Sequence, residues 1–187
     1  MRMFVGIPLA AAVLGELSAI SRRLQPEALG LRWTAPETWH VTLQFLGNTG
    51  PEQYPCLVAR LHELHLPAVP VQLEGLGVFD HSGVFIATVR PTPQLLQLQE
   101  HVVAATARCG FASETRPYQP HITLARSKGN GPRQDLGKLN ARVRSAPKFT
   151  RFVAPEFLLY ESFLGPTGSH YKIHERFPLD AHQESSS

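Results

Sequence analysis

The chain has 187 residues, 43% hydrophobic and 18% charged, which suits one globular domain with a sizeable core and excludes a disordered chain. Its net charge of +3 is mild, and no run of about five or six like charges occurs, so any nucleic-acid contact has to come from a local patch. No apolar run reaches the roughly 18 residues of a membrane span, and two cysteines, Cys56 and Cys109, make no disulfide framework. Reduced, buried thiols in a cytoplasmic protein are expected, with a single bridge as the alternative.

Met3 to Leu9 is an apolar run of β-formers ended by Pro8 and reads as a first strand. With Arg2 and the stretch to Gly15 it imitates a secretory leader, but Gly6 and Pro8 interrupt it and Glu16 follows early. From Ala10 to Leu24 the residues Val13, Leu14, Leu17, Ile20 and Leu24 recur at helical spacing, with Arg22 and Arg23 at the end that suits cations. Pro36 opens a turn into Trp39 to Gly47, a strand. Pro51 then starts a second helix with Tyr54, Leu57, Val58, Leu61 and Leu64 on one side.

Val69 to Phe79 and Val84 to Val89 read as a hairpin around Asp80-His81-Ser82-Gly83. A third helix is expected from Pro93 to Arg108, stopped by Gly110. His121 to Arg126 is another strand, Arg133 to Arg142 a short helix, and Phe149 to Leu164 one or two strands. Ser169 to Leu179 is the last strand, and residues 181–187 form a polar tail expected to be disordered. Residues 1–180 are read as a single domain of two lobes.

Two stretches carry the same sequence of side-chain types: His40-Val41-Thr42-Leu43 and His121-Ile122-Thr123-Leu124. On a strand, alternate residues share a face, so each histidine sides with its threonine while the aliphatic residues build a core. The histidines are 81 positions apart (121 − 40), and that offset also relates Leu14 to Leu95, Leu17 to Leu98, Pro36 to Pro117 and Pro51 to Pro132. It carries Phe4 onto Phe85. The order strand, helix, His-Thr strand, helix is repeated, and a pseudo-two-fold axis between the halves would face both histidines into one cleft.

Two imidazoles in one cleft can hold opposite protonation states near neutral pH, which is what a general base and a general acid require. Threonine hydroxyls beside them can donate to an anion, and a phosphodiester fits this set best. Histidine also suggests metal, but His62-Glu63-Leu64-His65 and the pair His170 and His174 lack a completing Cys, Asp or Glu cluster. Taken singly, Phe45 and Trp33 read as core aromatics and Arg126 as a solvated strand-end residue.

At these residues the chain resembles the two-histidine (2H) phosphoesterase superfamily, and within it the bacterial and archaeal RNA 2′,3′-cyclic phosphodiesterases, also called 2′-5′ RNA ligases. The resemblance runs from Met3-Phe4-Val5-Gly6-Ile7 to Phe177-Pro178-Leu179 and includes Arg32-Trp33, Phe45-Leu46-Gly47, Gly75-Leu76-Gly77-Val78-Phe79, Arg116-Pro117 and Leu159-Tyr160-Glu161-Ser162. It implies a bilobal α+β fold in which pseudo-two-fold related lobes of antiparallel sheet plus helices surround a central cleft. The implied activity is opening of an RNA 2′,3′-cyclic phosphate to a 2′-phosphate, with 2′-5′ RNA ligation as the reverse. Neither metal nor cofactor is implied, and a cytoplasmic monomer without membrane partners is expected.

By the same resemblance His40 is the general acid and His121 the general base, Thr42 and Thr123 bind phosphate oxygens, Phe45 packs on the terminal nucleoside and Arg126 contacts the ligand. Phe45 and Arg126 each lie five residues past a histidine, and a regular strand would point both away from the cleft. Either each strand twists or bulges there, or those two roles fail. Two other readings keep the same cleft: a protein that binds RNA ends without turnover, and a phosphodiesterase for small cyclic phosphates such as an ADP-ribose cyclic phosphate.

Overall fold

A computed structural model describes residues 1–128, 136–139, 147–166 and 168–181. In chain order the elements are β1 (Arg2–Pro8), α1 (Ala11–Leu24), β2 (Leu31–Trp33), β3 (His40–Asn48), α2 (Gln53–His62), β4 (Val69–Val71) and β5 (Leu73–Phe79). They continue with β6 (Val84–Val89), α3 (Pro93–Ala107), β7 (His121–Ser127), β8 (Phe152–Ala154), β9 (Glu156–Gly165) and β10 (Gly168–Pro178). The helix expected over Arg133 to Arg142 falls largely outside the described residues, as does the end of the polar tail.

The helices form where the apolar spacing required them. Val13, Leu17 and Leu24 are the buried apolar stripe of α1, Leu57 and Leu61 that of α2, and Leu95, Leu98 and Val102 that of α3. Thr92 caps α3, its hydroxyl accepting from the Leu95 N–H at 3.2 Å, ahead of Pro93 in the first turn. Gly110, at φ 85°, takes the left-handed conformation that lets the chain leave the helix. No helix among the described residues is long and apolar enough to cross a membrane.

Two four-stranded antiparallel sheets carry the fold, in the orders β10-β9-β1-β3 and β2-β7-β6-β5, with β4 and β8 paired separately. The architecture is the expected α+β one, but lobes and sequence halves do not coincide. β1 of the first half is flanked by β9 of the second, and β6 of the second by β5 of the first. Each half thus completes the other's sheet. The fourth strand also attaches at different edges: β10 outside β9 in one sheet, β2 outside β7 in the other. As a result β3 is an edge strand and β7 an interior one.

Pairing revises one repeat equivalence. Phe4 lies opposite Phe45 and Gly6 opposite Thr42, while Val84 lies opposite Arg126 and Ile86 opposite Thr123. β1 and β6 therefore correspond at an offset of 80 (84 − 4, 86 − 6), one less than the His-Thr strands. Phe4 matches Val84, and Phe85 faces the main core instead.

The expectation of reduced cysteines is overturned. Cys56 on α2 and Cys109 just beyond α3 are disulfide-bonded, with Cα atoms 5.8 Å apart. The two helices pack against each other and bring the thiols together, which a spacing of 53 residues does not reveal. The bridge removes the ground on which a reducing compartment was expected.

Candidate active site

The cleft is a cavity of about 1470 Å³ lined by His40, Thr42, Phe45, His121, Thr123 and Arg126 together, with Val103 and Ala107 of α3 also on its wall. All six site residues expected from the sequence meet there. Histidine and threonine reach it by simple alternation, with Val41 and Ile122 fully buried between them.

Phe45 and Arg126 reach it through a one-residue slip. Val5 pairs with Gln44 and Gly6 with Thr42, leaving Leu43 as an extra residue. Phe85 pairs with Ala125 and Ile86 with Thr123, leaving Leu124 extra at the equivalent place. Two successive buried residues, Leu43-Gln44 and Leu124-Ala125, mark the bulge in each strand. Beyond it the alternation is inverted, so the residue five past each histidine returns to the cleft face. The bulge is the alternative the roles of Phe45 and Arg126 required.

Each imidazole is held the same way. His40 Nδ1 lies 2.7 Å from the Thr38 carbonyl and His121 Nδ1 2.7 Å from the Gln119 carbonyl, two residues upstream in both cases. A carbonyl can only accept, so Nδ1 carries the proton and Nε2 is left for chemistry. His40 Nε2 is 2.9 Å from Thr42 Oγ1.

Their surroundings differ. The His40 ring stacks on Phe4 at 4.6 Å and meets Tyr171 edge-on at 5.4 Å, with Tyr160 stacked beneath Phe4. It can settle there because its neighbour on β1 is Gly6, where a Cβ would come within 3.1 Å of both His40 Cδ2 and the Val41 carbonyl oxygen. Ile86 fills the matching place beside β7, and His121 has an edge contact with Phe79 at 4.9 Å. Burial pushes the His40 pKa down to about 4, against the Thr38 hydrogen bond, with the charges of His121 and Arg126 adding to the fall. His121 is lowered for the same leading reason, desolvation, with Arg126 contributing.

Cross-braces tie the lobes at this point, and nothing in the local sequence announced them. The Tyr118 hydroxyl, ahead of His121, donates to the Thr42 carbonyl at 2.8 Å. The Trp39 indole N–H, ahead of His40, donates to Thr34 Oγ1, which sits 2.9 Å from the Thr123 and Leu124 carbonyls at the second bulge. Of the other histidines, His81 and His170 also line the cleft, whereas His174 bonds Glu161 at 2.7 Å and His62 approaches Glu175 at 3.8 Å.

The family model described as the 2′-5′ RNA ligase superfamily matches residues 12–152, three quarters of the chain. The chain belongs to the 2′-5′ RNA ligase superfamily. Relatives named RNA 2′,3′-cyclic phosphodiesterase include one from Geobacillus stearothermophilus, 30% identical over 94% of this chain, which spans 56% of that relative's length. Another, from Archaeoglobus fulgidus, is 28% identical and covers 92% of this chain and 97% of its own. Among superfamily members of known structure, Escherichia coli LigT complexed with 3′-AMP superposes with a TM-score of 0.77 at 26% identity, covering 95% of this chain and 97% of its own. A protein of Thermus thermophilus does so with the same TM-score at 27% identity, with the same coverage.

Proposed function

We propose that the protein hydrolyses RNA 2′,3′-cyclic phosphate ends to 2′-phosphate ends without a metal ion, and that it joins RNA ends through a 2′-5′ bond in reverse. The observation that carries this reading is the pair of imidazoles anchored alike through Nδ1 and lining one cleft, each with a threonine on its face. The relatives' names and the 3′-AMP complex of LigT support the substrate class.

In the forward direction His121 Nε2 takes a proton from water as the water oxygen bonds to phosphorus. The bond from phosphorus to the ribose 3′ oxygen breaks, and that oxygen takes its proton from His40 Nε2. Thr42 and Thr123 donate to the non-bridging oxygens, Arg126 offsets their charge, and Phe45 packs against the terminal nucleoside. His40 must enter this step as imidazolium. An anionic diester between the imidazoles favours their charged forms and counters the downward pull of burial. Both histidines come from one chain, so a monomer holds the complete site.

The deciding experiment incubates the protein with an RNA bearing a 2′,3′-cyclic phosphate, with chelator present, and identifies the terminal phosphate. A 2′-phosphate is expected. A 3′-phosphate would reverse the roles of the two histidines, and tight binding without turnover would leave an RNA-end binding protein.

A further inference from the structure

Arg32 and Arg126 are directly opposed Cα partners across β2 and β7, and both line the cleft. Directly opposed side chains of an antiparallel pair lie about 5 Å apart at Cβ, and like charges placed so destabilise a sheet. Neither guanidinium has a carboxylate partner or a hydrogen bond among the described residues, whereas Arg60, Arg90 and Arg176 each pair with a glutamate. Strand β2 is only three residues long and extends the sheet at the cleft mouth, where it sets Arg32 beside β7.

We propose that Arg32 and Arg126 form a second phosphate subsite, beside the His-Thr site, for a phosphate on the 5′ oxygen of the reacting nucleotide. This rests on the function proposed above. Arg126 lies one cleft-facing position beyond Thr123 on β7, about 7 Å further along the strand, and Arg32 flanks it. A ribose whose 2′ and 3′ oxygens are both held by the cyclic phosphate carries any further phosphate on its 5′ oxygen. An anion bridging the guanidiniums removes their repulsion and gains charge-assisted hydrogen bonds from both. The cleft, at about 1470 Å³, exceeds the roughly 300–1,000 Å³ typical of small-ligand sites and leaves room for that extension.

Two sources could supply the phosphate: the last internucleotide linkage of an RNA, or the diphosphate of a small cyclic nucleotide. The test compares kcat/KM of wild type, Arg32→Ala and Arg32→Lys on four substrates. These are a nucleoside 2′,3′-cyclic phosphate, its 5′-phosphorylated form, a dinucleotide ending in a cyclic phosphate, and ADP-ribose cyclic phosphate.

Wild type is expected to prefer the 5′-phosphorylated form over the bare nucleoside by about tenfold or more, the scale of one charge-assisted contact. Arg32→Ala is expected to bring that ratio close to one, and Arg32→Lys to keep part of it. The same Arg32-dependent gain with the dinucleotide identifies an RNA chain as the source, and with ADP-ribose cyclic phosphate a small diphosphate. A preference that survives Arg32→Ala, or an equal loss on every substrate, overturns the subsite. If no substrate turns over, the proposed function fails, and the subsite is read by equilibrium binding of adenosine 3′,5′-bisphosphate against 3′-AMP. An affinity gap that disappears in Arg32→Ala supports it, and a gap that persists or is absent overturns it.

Discussion

Strands β3 and β7 share a histidine, a threonine, a carbonyl anchor two residues upstream and a bulge at the same place, yet they hand the cleft different chemistry. β3 is an edge strand lying against Gly6, Phe4 and Tyr171, so its imidazole sinks into an aromatic slot and its fifth residue, Phe45, stands 61% exposed. β7 is flanked on both sides, by Ile86 and by Arg32, so its imidazole stays nearer solvent and its fifth residue brings a charge. The shared His-Thr pattern and bulge supply the geometry. The neighbouring strands made the two copies unequal.

The largest expected effect comes from breaking both copies in turn. His40→Ala and His121→Ala should each lower kcat by about 10²–10⁴-fold, the contribution of one positioned acid or base. Opposite limbs of the pH–rate profile should flatten in the two variants. Loss of the same limb in both would remove the division of labour between the strands.

The disulfide occupies only one of the two symmetry-related places, because the offset of 81 carries Cys56 to Gly137 and Cys109 back to Ala28. Reducing it should cost about 2–4 kcal/mol in denaturant unfolding, the usual contribution of such a bridge. The Thr106 hydroxyl on α3 lies 2.7 Å from Oε1 of buried Gln44 at the first bulge. Amide exchange should therefore quicken in β3 before β7 when the bridge is opened, and equal loosening would refute that link.

Phe45→Ala should weaken binding of a nucleotide by about 1–3 kcal/mol, seen as a raised KM with kcat little changed, as loss of a stacking surface requires. The smallest effect concerns pH. Productive enzyme carries one proton between the two imidazoles, so activity falls below the lower pKa of the pair and above the upper one. Both are depressed in the free enzyme, which puts the alkaline limb of kcat/KM below about 6.5, the ordinary histidine value. The limb of kcat should lie higher, since bound phosphate favours imidazolium. Gly6→Ala should lift His40 from its slot and raise the lower pKa by up to about a unit, read by NMR titration of the His40 ring; no movement would separate the slot from its pKa.

Helix stripes, the two His-Thr strands and the pleat that turns them to one face were legible because they depend on local periodicity. The bulges were not, since one extra residue in Leu43-Gln44-Phe45 or Leu124-Ala125-Arg126 leaves a plausible strand pattern and shows only when a partner strand is counted against it. The one-residue slip between β1 and β6 stayed hidden because Phe4 and Phe85 match in type while facing different sides. Tyr118, Thr34 and Tyr171 act on residues tens of positions away, Tyr118 on Thr42 and Thr34 on Thr123, and no local pattern encodes such partners.

The exchange of strands between halves bears on how such a chain could arise. A single repeat alone would leave the edge of its own first strand bare, with half a catalytic pair and its last strand unmatched. Two copies, each lending that strand to the other, satisfy both edges and complete the cleft in one step. The turn at Asp80 to Gly83 joins the two halves covalently, between β5 and β6. Fragments cut at that turn should regain activity when mixed and show none apart.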